Sequence, residues 1–141
     1  MIEKGADLNL RDNEASTALM WAIDYSKTGI ARLLIEKGAD VNLRDNKEMN
    51  ALMQAIDANE TEISELLIGK VADLNAIGGN GMTALMWAVC RNSRDLVKLL
   101  LEKGADPNVK GRDALTALEL TKVYHDKYLI KLLMEKGARP I

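Results

Sequence analysis

Apolar side chains recur along residues 17–37 first as Leu19, Ala22 and Ile23 and then as Ile30, Leu33 and Leu34, with polar or small residues between them. That spacing predicts two short helices, each apolar on one face. The first-helix pattern returns as Leu85, Ala88 and Val89. The second returns as Ile63, Leu66 and Leu67, then Leu96, Leu99 and Leu100, then Leu129, Leu132 and Leu133, and all of these are expected in the core. The step between copies is thirty-three residues. A fixed period of this length identifies stacked units, each burying its apolar face against its neighbours.

Polar residues punctuate the pattern. Thr17, Asn50, Thr83 and Thr116 share one register position just ahead of each first helix. All four side chains can accept a hydrogen bond from the unpaired amides of a helix start, which predicts N-caps. Gly38, Gly104 and Gly137 follow each second helix, where glycine adopts a left-handed conformation without steric penalty. Val71 takes that position in the second repeat. A β-branched residue is costly at positive φ, so the helix there is expected to stop earlier, at Gly69, with a rebuilt turn.

Two longer stretches give the array its character. Thr17-Ala18-Leu19-Met20-Trp21-Ala22 recurs as Asn50-Ala51-Leu52-Met53-Gln54-Ala55, as Thr83-Ala84-Leu85-Met86-Trp87-Ala88 and as Thr116-Ala117-Leu118-Glu119. Glu36-Lys37-Gly38-Ala39-Asp40-Val41-Asn42 returns 66 residues later as Glu102-Lys103-Gly104-Ala105-Asp106-Pro107-Asn108. At these residues the sequence resembles the ankyrin repeat family, with Thr-Ala-Leu-Met in place of the usual Thr-Pro-Leu-His. The resemblance spans a partial repeat at 1–11 and repeats at 12–44, 45–77, 78–110 and 111–141, the last a cap, in one domain over 1–141. It implies an all-α solenoid of antiparallel helix pairs with projecting β-hairpin or loop tips, which binds other proteins and performs no chemistry.

The two ends differ. The partial repeat lacks the first helix and most of the second, so Leu19, Ile23, Ile30 and Leu33 are expected to lack cover from an upstream neighbour. A longer natural array is one expectation, and self-association through this uncapped repeat is another. At the other end Glu119, Thr121 and Lys122 replace Met86, Ala88 and Val89, which predicts a polar cap near a true chain end. Thr116 and Glu119 also have the spacing of a reciprocal capping box.

Composition narrows the function classes. A formal charge of −2 offers no basic field for nucleic acid, and the chain has no run of about twenty apolar residues to cross a membrane. The single cysteine, Cys90, forms no internal disulfide and cannot alone build a zinc site, which suits a reducing, intracellular compartment. Met1-Ile2-Glu3-Lys4-Gly5 has no secretory-signal character. No catalytic, cofactor-binding or metal-ligating residues are expected, and no cofactor.

Candidate chemistry resolves into structure in most cases. Asp24 and Asp57 share a first-helix register but read as a solvated face, since an acid–base pair needs an enclosing pocket. His125 is the sole histidine, which argues against a triad or metal cluster. Gly78-Gly79-Asn80-Gly81 lacks the Lys-Ser/Thr of a phosphate loop and reads as a tip. Cys90 reads as an ordinary small residue, and Trp21 and Trp87 as packing between repeats, with a partner contact as the second reading. Asn42, Asn75 and Asn108 resemble the ankyrin asparagines that hydroxylases modify, but asparagine also suits tight turns.

In the family, specificity resides in the tips and in exposed first-helix positions. Here the tips carry Ser16, Met49, Met82 and Leu115, and the helix positions are Asp24-Tyr25, Asp57-Ala58, Cys90-Arg91 and Val123-Tyr124. The expected contact residues are Tyr25, Met49, Met82, Arg91, Leu115 and Tyr124, binding a protein partner through the tips and the concave first-helix face. Methionine adapts to irregular surfaces, and tyrosine and arginine are enriched among strong interface residues. The alternative is a rigid spacer or regulatory repeat segment of a longer protein.

Overall fold

The computed structural model describes residues 7–70 and 73–139. The chain divides into two compact units, Met1–Ala72 and Asp73–Ile141. In the first unit, helices α1 (Ala18–Asp24) and α2 (Thr28–Glu36) pair with each other, as do α3 (Ala51–Asp57) and α4 (Thr61–Ile68). The second unit repeats the plan with α5 (Ala84–Cys90) and α6 (Arg94–Glu102), then α7 (Ala117–Val123) and α8 (Lys127–Glu135). A single turn of 3₁₀-helix at Arg112–Ala114 precedes α7. Among the described residues no strand forms, and Arg44 and Asn50 make an isolated antiparallel bridge.

Each first helix starts where its cap predicts. Thr17, Asn50, Thr83 and Thr116 sit in extended conformation, and their side-chain oxygens accept from the amides of Met20, Met53, Met86 and Glu119. At Thr17 the box closes through sulfur, with the Thr17 amide donating to Met20 Sδ at 3.5 Å. The box expected at Thr116 forms by one arm, and the Glu119 carboxylate pairs with Lys122 at 3.4 Å.

The helices stop by a common device. The Lys27 amide donates back to the Ala22 carbonyl and the Ser26 amide to Ile23, and Ala39 and Gly38 repeat both bonds onto Leu34 and Ile35. This is the Schellman arrangement, which pairs the carbonyls that a helix end leaves free and puts one residue in the left-handed region. Gly38, Gly104 and Gly137 hold it at φ of 91°, 101° and 101°. Helix α4 ends at Ile68, one residue short of its register mates, with Gly69 as its C-cap in a right-handed conformation. Val71 itself, like Gly5, lies outside the described residues.

The core differs from the expected list in two respects. Leu34, Leu67, Leu100 and Leu133 are buried at every copy, together with Ala31, Ser64 and Val97 beside them. Leu66, Leu99 and Leu132 are only half-buried, and Leu33 is exposed, because this position lies on the flank of the second helix. Ile30 is 52% exposed whereas Ile63 at the same register is 1% exposed. Within the first unit α1 packs on α3 and α2 on α4, so the second pair's upstream face is covered by the first pair. Leu19 and Ile23, expected to be uncovered, are buried because they face the other way, into the unit.

Two polar residues inside the core are satisfied locally. Ser64 and Thr121 are fully buried, and their hydroxyls donate to the carbonyls of Glu60 and Leu118 at 2.8 and 2.7 Å. Thr121 is thus an interior residue, not part of an outer polar cap. Each fully buried leucine or isoleucine contributes about 1.5–3 kcal/mol by leaving water, which makes these layers the main stabilising element of both units.

Candidate partner-binding surface

The tips are built by one repeated turn. The amides of Asp12, Asp45, Gly78 and Gly111 donate to the carbonyls of Ser16, Met49, Met82 and Leu115. Asp12 and Asp45 also turn one carboxylate oxygen inward to their own turn, Asp12 accepting from Glu14 and Ser16 and Asp45 from Lys47 and Met49. The other oxygen reaches the first helix, where Asp12 accepts from Trp21 Nε1 at 2.8 Å and Asp45 from Gln54 Nε2 at 3.2 Å. These donors, with the Ser16 backbone first and Trp21 second, hold the Asp12 carboxyl below the usual carboxylate range.

Gly78 breaks this pattern. With no carboxylate there, Trp87 Nε1 is buried without a hydrogen-bond partner. The third and fourth tips close on each other, as the first and second do through the Asn46 amide and the Glu14 carbonyl: the Arg112 amide donates to the Gly81 carbonyl at 2.9 Å and its guanidinium to Gly79 at 3.1 Å. A Cβ at Gly81 would collide with the Arg112 backbone, and one at Gly111 with the Gly81 carbonyl, so both glycines are needed for this approach. The tip Gly78-Gly79-Asn80-Gly81 is accordingly a backbone-packing element.

Of the expected contact residues, the first unit holds Tyr25 and Met49. Tyr25 is exposed and stacks on Trp21 with ring centroids 5.2 Å apart and planes 7° from parallel. Met49 is half-buried. The second unit holds Met82, Arg91, Leu115 and Tyr124. Met82 is half-buried, while Arg91, Leu115 and Tyr124 are exposed. The tip contact sets Met82 and Leu115 on neighbouring turns, and Tyr124 lies against Cys90, whose hydrogen bond and charge push its phenol above the usual tyrosine value.

Asp24 is exposed at the end of α1, and its carboxyl is raised above the usual value by desolvation first and then by Asp45 and Asp57, against the pull of Lys47. Among the described residues no group of three or more His, Cys, Asp or Glu side chains could hold a metal ion. No described helix is long and apolar enough to cross a membrane.

Of the asparagines expected in tight turns, Asn42 donates its backbone amide to Asp40 at 2.9 Å, and Asn75 and Asn108, together with Asn9, act as struts between successive loops. Asn9 Oδ1 accepts from the Asp40 amide at 2.7 Å, Asn75 from Asp106 at 2.7 Å and Asn108 from Arg139 at 2.8 Å. Each is oriented by an aspartate two residues earlier that accepts from its amide, as Asp7, Asp73 and Asp106 do. Loop is thereby tied to loop at a spacing of thirty-one residues.

The array of helix pairs matches a known family. A model of ankyrin repeats matches the chain three times, over residues 1–45, 43–111 and 73–140. The chain belongs to the ankyrin repeat family. An ankyrin repeat domain from Acinetobacter baumannii AYE, solved by crystallography, is similar with a TM-score of 0.87 and 29% identity, over 96% of this chain and 72% of that one. No curated protein matches the sequence. Ankyrin repeats are generally protein–protein interaction modules, and their fold is typically a non-catalytic scaffold.

Tyr128, Arg94 and the turn after each first helix escape a register-by-register reading of this ankyrin array, whereas Val123 is among its expected first-helix positions. Val123 and Tyr128 are exposed, and Tyr128 lies under Arg94, whose guanidinium carbon is 4.9 Å from the ring centroid. Arg94 also reaches Asp126 at 3.3 Å, joining α6 to the start of α8. A second left-handed position, at Ser26, Asn59, Asn92 and His125, ends every first helix, so the sole histidine is a turn residue. The two asparagines at that register were the available signal, because asparagine tolerates positive φ.

Proposed function

We propose that the chain is an intracellular, non-catalytic protein-binding module that contacts its partner through Tyr25 and Met49 on the first unit and through Met82, Arg91, Leu115 and Tyr124 on the second. The carrying observation is that Tyr25 and Tyr124, at the ends of α1 and α7, are 61% and 55% exposed. An aromatic ring left in water gains from burial against a partner, and its hydroxyl supplies a directional polar contact. Half-buried Met49 and Met82 would contribute adaptable apolar edges. Self-association through the α1–α2 face is a second contact supported by the exposed Ile30 and Leu33.

The test installs a photo-crosslinking phenylalanine analogue at position 25 or 124, with position 131 on α8 as the control, and irradiates each variant in lysate of the source cell. The expected result is a shared adduct from 25 and 124 that is missing from 131. Adducts confined to 131 would move the surface to the second helices. No adduct at any position would favour the alternative, a rigid spacer or regulatory repeat segment of a longer protein.

A further inference from the structure

Asparagine carries its own electrophile. Its side-chain carbonyl carbon lies within ring-closing reach of the next residue's backbone nitrogen, and the approach is least hindered when that residue has no Cβ. Asn80-Gly81 is the one asparagine–glycine step in the chain. The same tip positions elsewhere hold Glu14-Ala15, Lys47-Glu48 and Asp113-Ala114, so the third tip alone joins a carboxamide to an unhindered amide.

The folded tip holds the reacting groups together. Asn80 Oδ1 accepts from the Met82 amide at 3.2 Å, which folds the side chain over the intervening Asn80–Gly81 peptide and polarises its carbonyl. Both residues are half-buried, so the turn keeps part of its surface in water. One bond opposes ring closure, because the Gly81 amide donates to the Gly78 carbonyl at 2.8 Å. A single hydrogen bond of this kind slows the reaction by about tenfold and does not abolish it.

We propose that Asn80 is a site of spontaneous deamidation and that its isoaspartyl product releases the third tip from the fourth. The Gly81 nitrogen gives its proton to hydroxide and bonds to Asn80 Cγ. The Cγ–Nδ2 bond then breaks, and the leaving nitrogen takes a proton from water and departs as ammonia. Water opens the resulting succinimide: hydrolysis at Cγ leaves aspartate, whereas hydrolysis at the main-chain carbonyl leaves isoaspartate, its backbone routed through Cβ and Cγ and longer by one carbon atom. Water is the sole co-reactant.

The third tip has no room for that carbon. The bond from Gly81 to Gly78 closes across Gly79 and Asn80, and the Gly81 backbone lies so near Arg112 that even a Cβ would collide with it. Lengthening the turn therefore separates the Arg112 amide from the Gly81 carbonyl, which are 2.9 Å apart in the unmodified chain.

The test ages the full wild-type chain at physiological temperature and mildly alkaline pH, followed by peptide mass spectrometry and enzymatic isoaspartate methylation. Asn80 should convert first, with Asn75 and Asn108 unchanged over the same interval, and its rate should rise with pH because the deprotonated amide is the nucleophile. In the separated isoaspartyl form, hydrogen exchange at the Arg112 amide should be about tenfold faster than in fresh protein, the loss of one hydrogen bond. Fresh Asn80→Asp, which adds the charge without the carbon, should keep Arg112 protected. Conversion of Asn80 only after denaturation, or no faster than at Asn75 and Asn108, would overturn the site. An isoaspartyl form with Arg112 still fully protected would overturn the release, and equally fast exchange in Asn80→Asp would assign it to charge and overturn the backbone mechanism.

Discussion

At the scale of single residues, the left-handed backbone positions set the sharpest expectations. Ala15, Glu48, Gly81 and Ala114 occupy one tip register, all at positive φ between 58° and 78°. Only Gly81 adopts that conformation without Cβ strain. Ala114→Gly is expected to stabilise the chain by about 0.5–1 kcal/mol, the relief of Cβ strain less the added unfolded-state entropy. Gly81→Ala should cost more than 2 kcal/mol, because strain adds to a collision with the Arg112 backbone. Chemical denaturation of both variants reads the opposite signs directly. The orphaned indole of Trp87 gives a second expectation. Gly78→Asp restores the acceptor that Asp12 and Asp45 supply elsewhere and should add about 1 kcal/mol, with a shift in tryptophan emission as Nε1 gains a partner.

At the scale of elements, α8 differs from the other second helices in how it starts. Lys27, Glu60 and Ser93 make no side-chain cap, whereas Asp126 accepts from the Leu129 amide at 3.0 Å. That bond, with Arg94 beside it, holds the Asp126 carboxyl below its usual value. Asp126→Ala should therefore destabilise the chain by about 1 kcal/mol at neutral pH, the usual value of an N-cap. The sign of its pH dependence follows from the depressed folded value. The contribution is complete above the unfolded pKa of about 4 and fades as pH falls through the folded one, because the native state then binds the proton reluctantly. Melting curves of wild type and variant should converge in acid. Convergence on raising the pH instead would show that Asp126 acts other than as an ionised cap.

For the molecule as a whole, the self-association reading couples local stability to concentration. Ala18, Ile30 and Leu33 of α1 and α2 are exposed, so in dilute solution the amides of these helices should exchange faster than those of α5 and α6. Raising the protein concentration should slow exchange in α1 and α2 and leave α7 and α8 unchanged. Equal protection of all helices in a demonstrated monomer would mean that the first pair gains its stability from within.

The sequence alone determined the period, the helix pairs, the threonine and asparagine caps and the glycine turns, because each depends on forces within one or two turns of chain. A hydroxyl three residues from an amide, or a missing Cβ at positive φ, acts wherever it occurs. The candidate surface was legible only as registers. Tyr25 and Tyr124 were expected exposed and are, but Met49 and Met82 are half-buried. The tertiary structure decided everything that depends on a neighbour. Ile30 and Ile63 share a register and a residue type, yet one is open and the other buried, because burial is a property of the layer placed above. Trp21 and Trp87 likewise differ through Asp12 and Gly78, nine residues earlier, which the folded tip alone brings to the indole. Tyr124 meets Cys90 only when α7 packs on α5. Local sterics can be read along a chain, whereas solvent exposure is settled only when its elements are stacked.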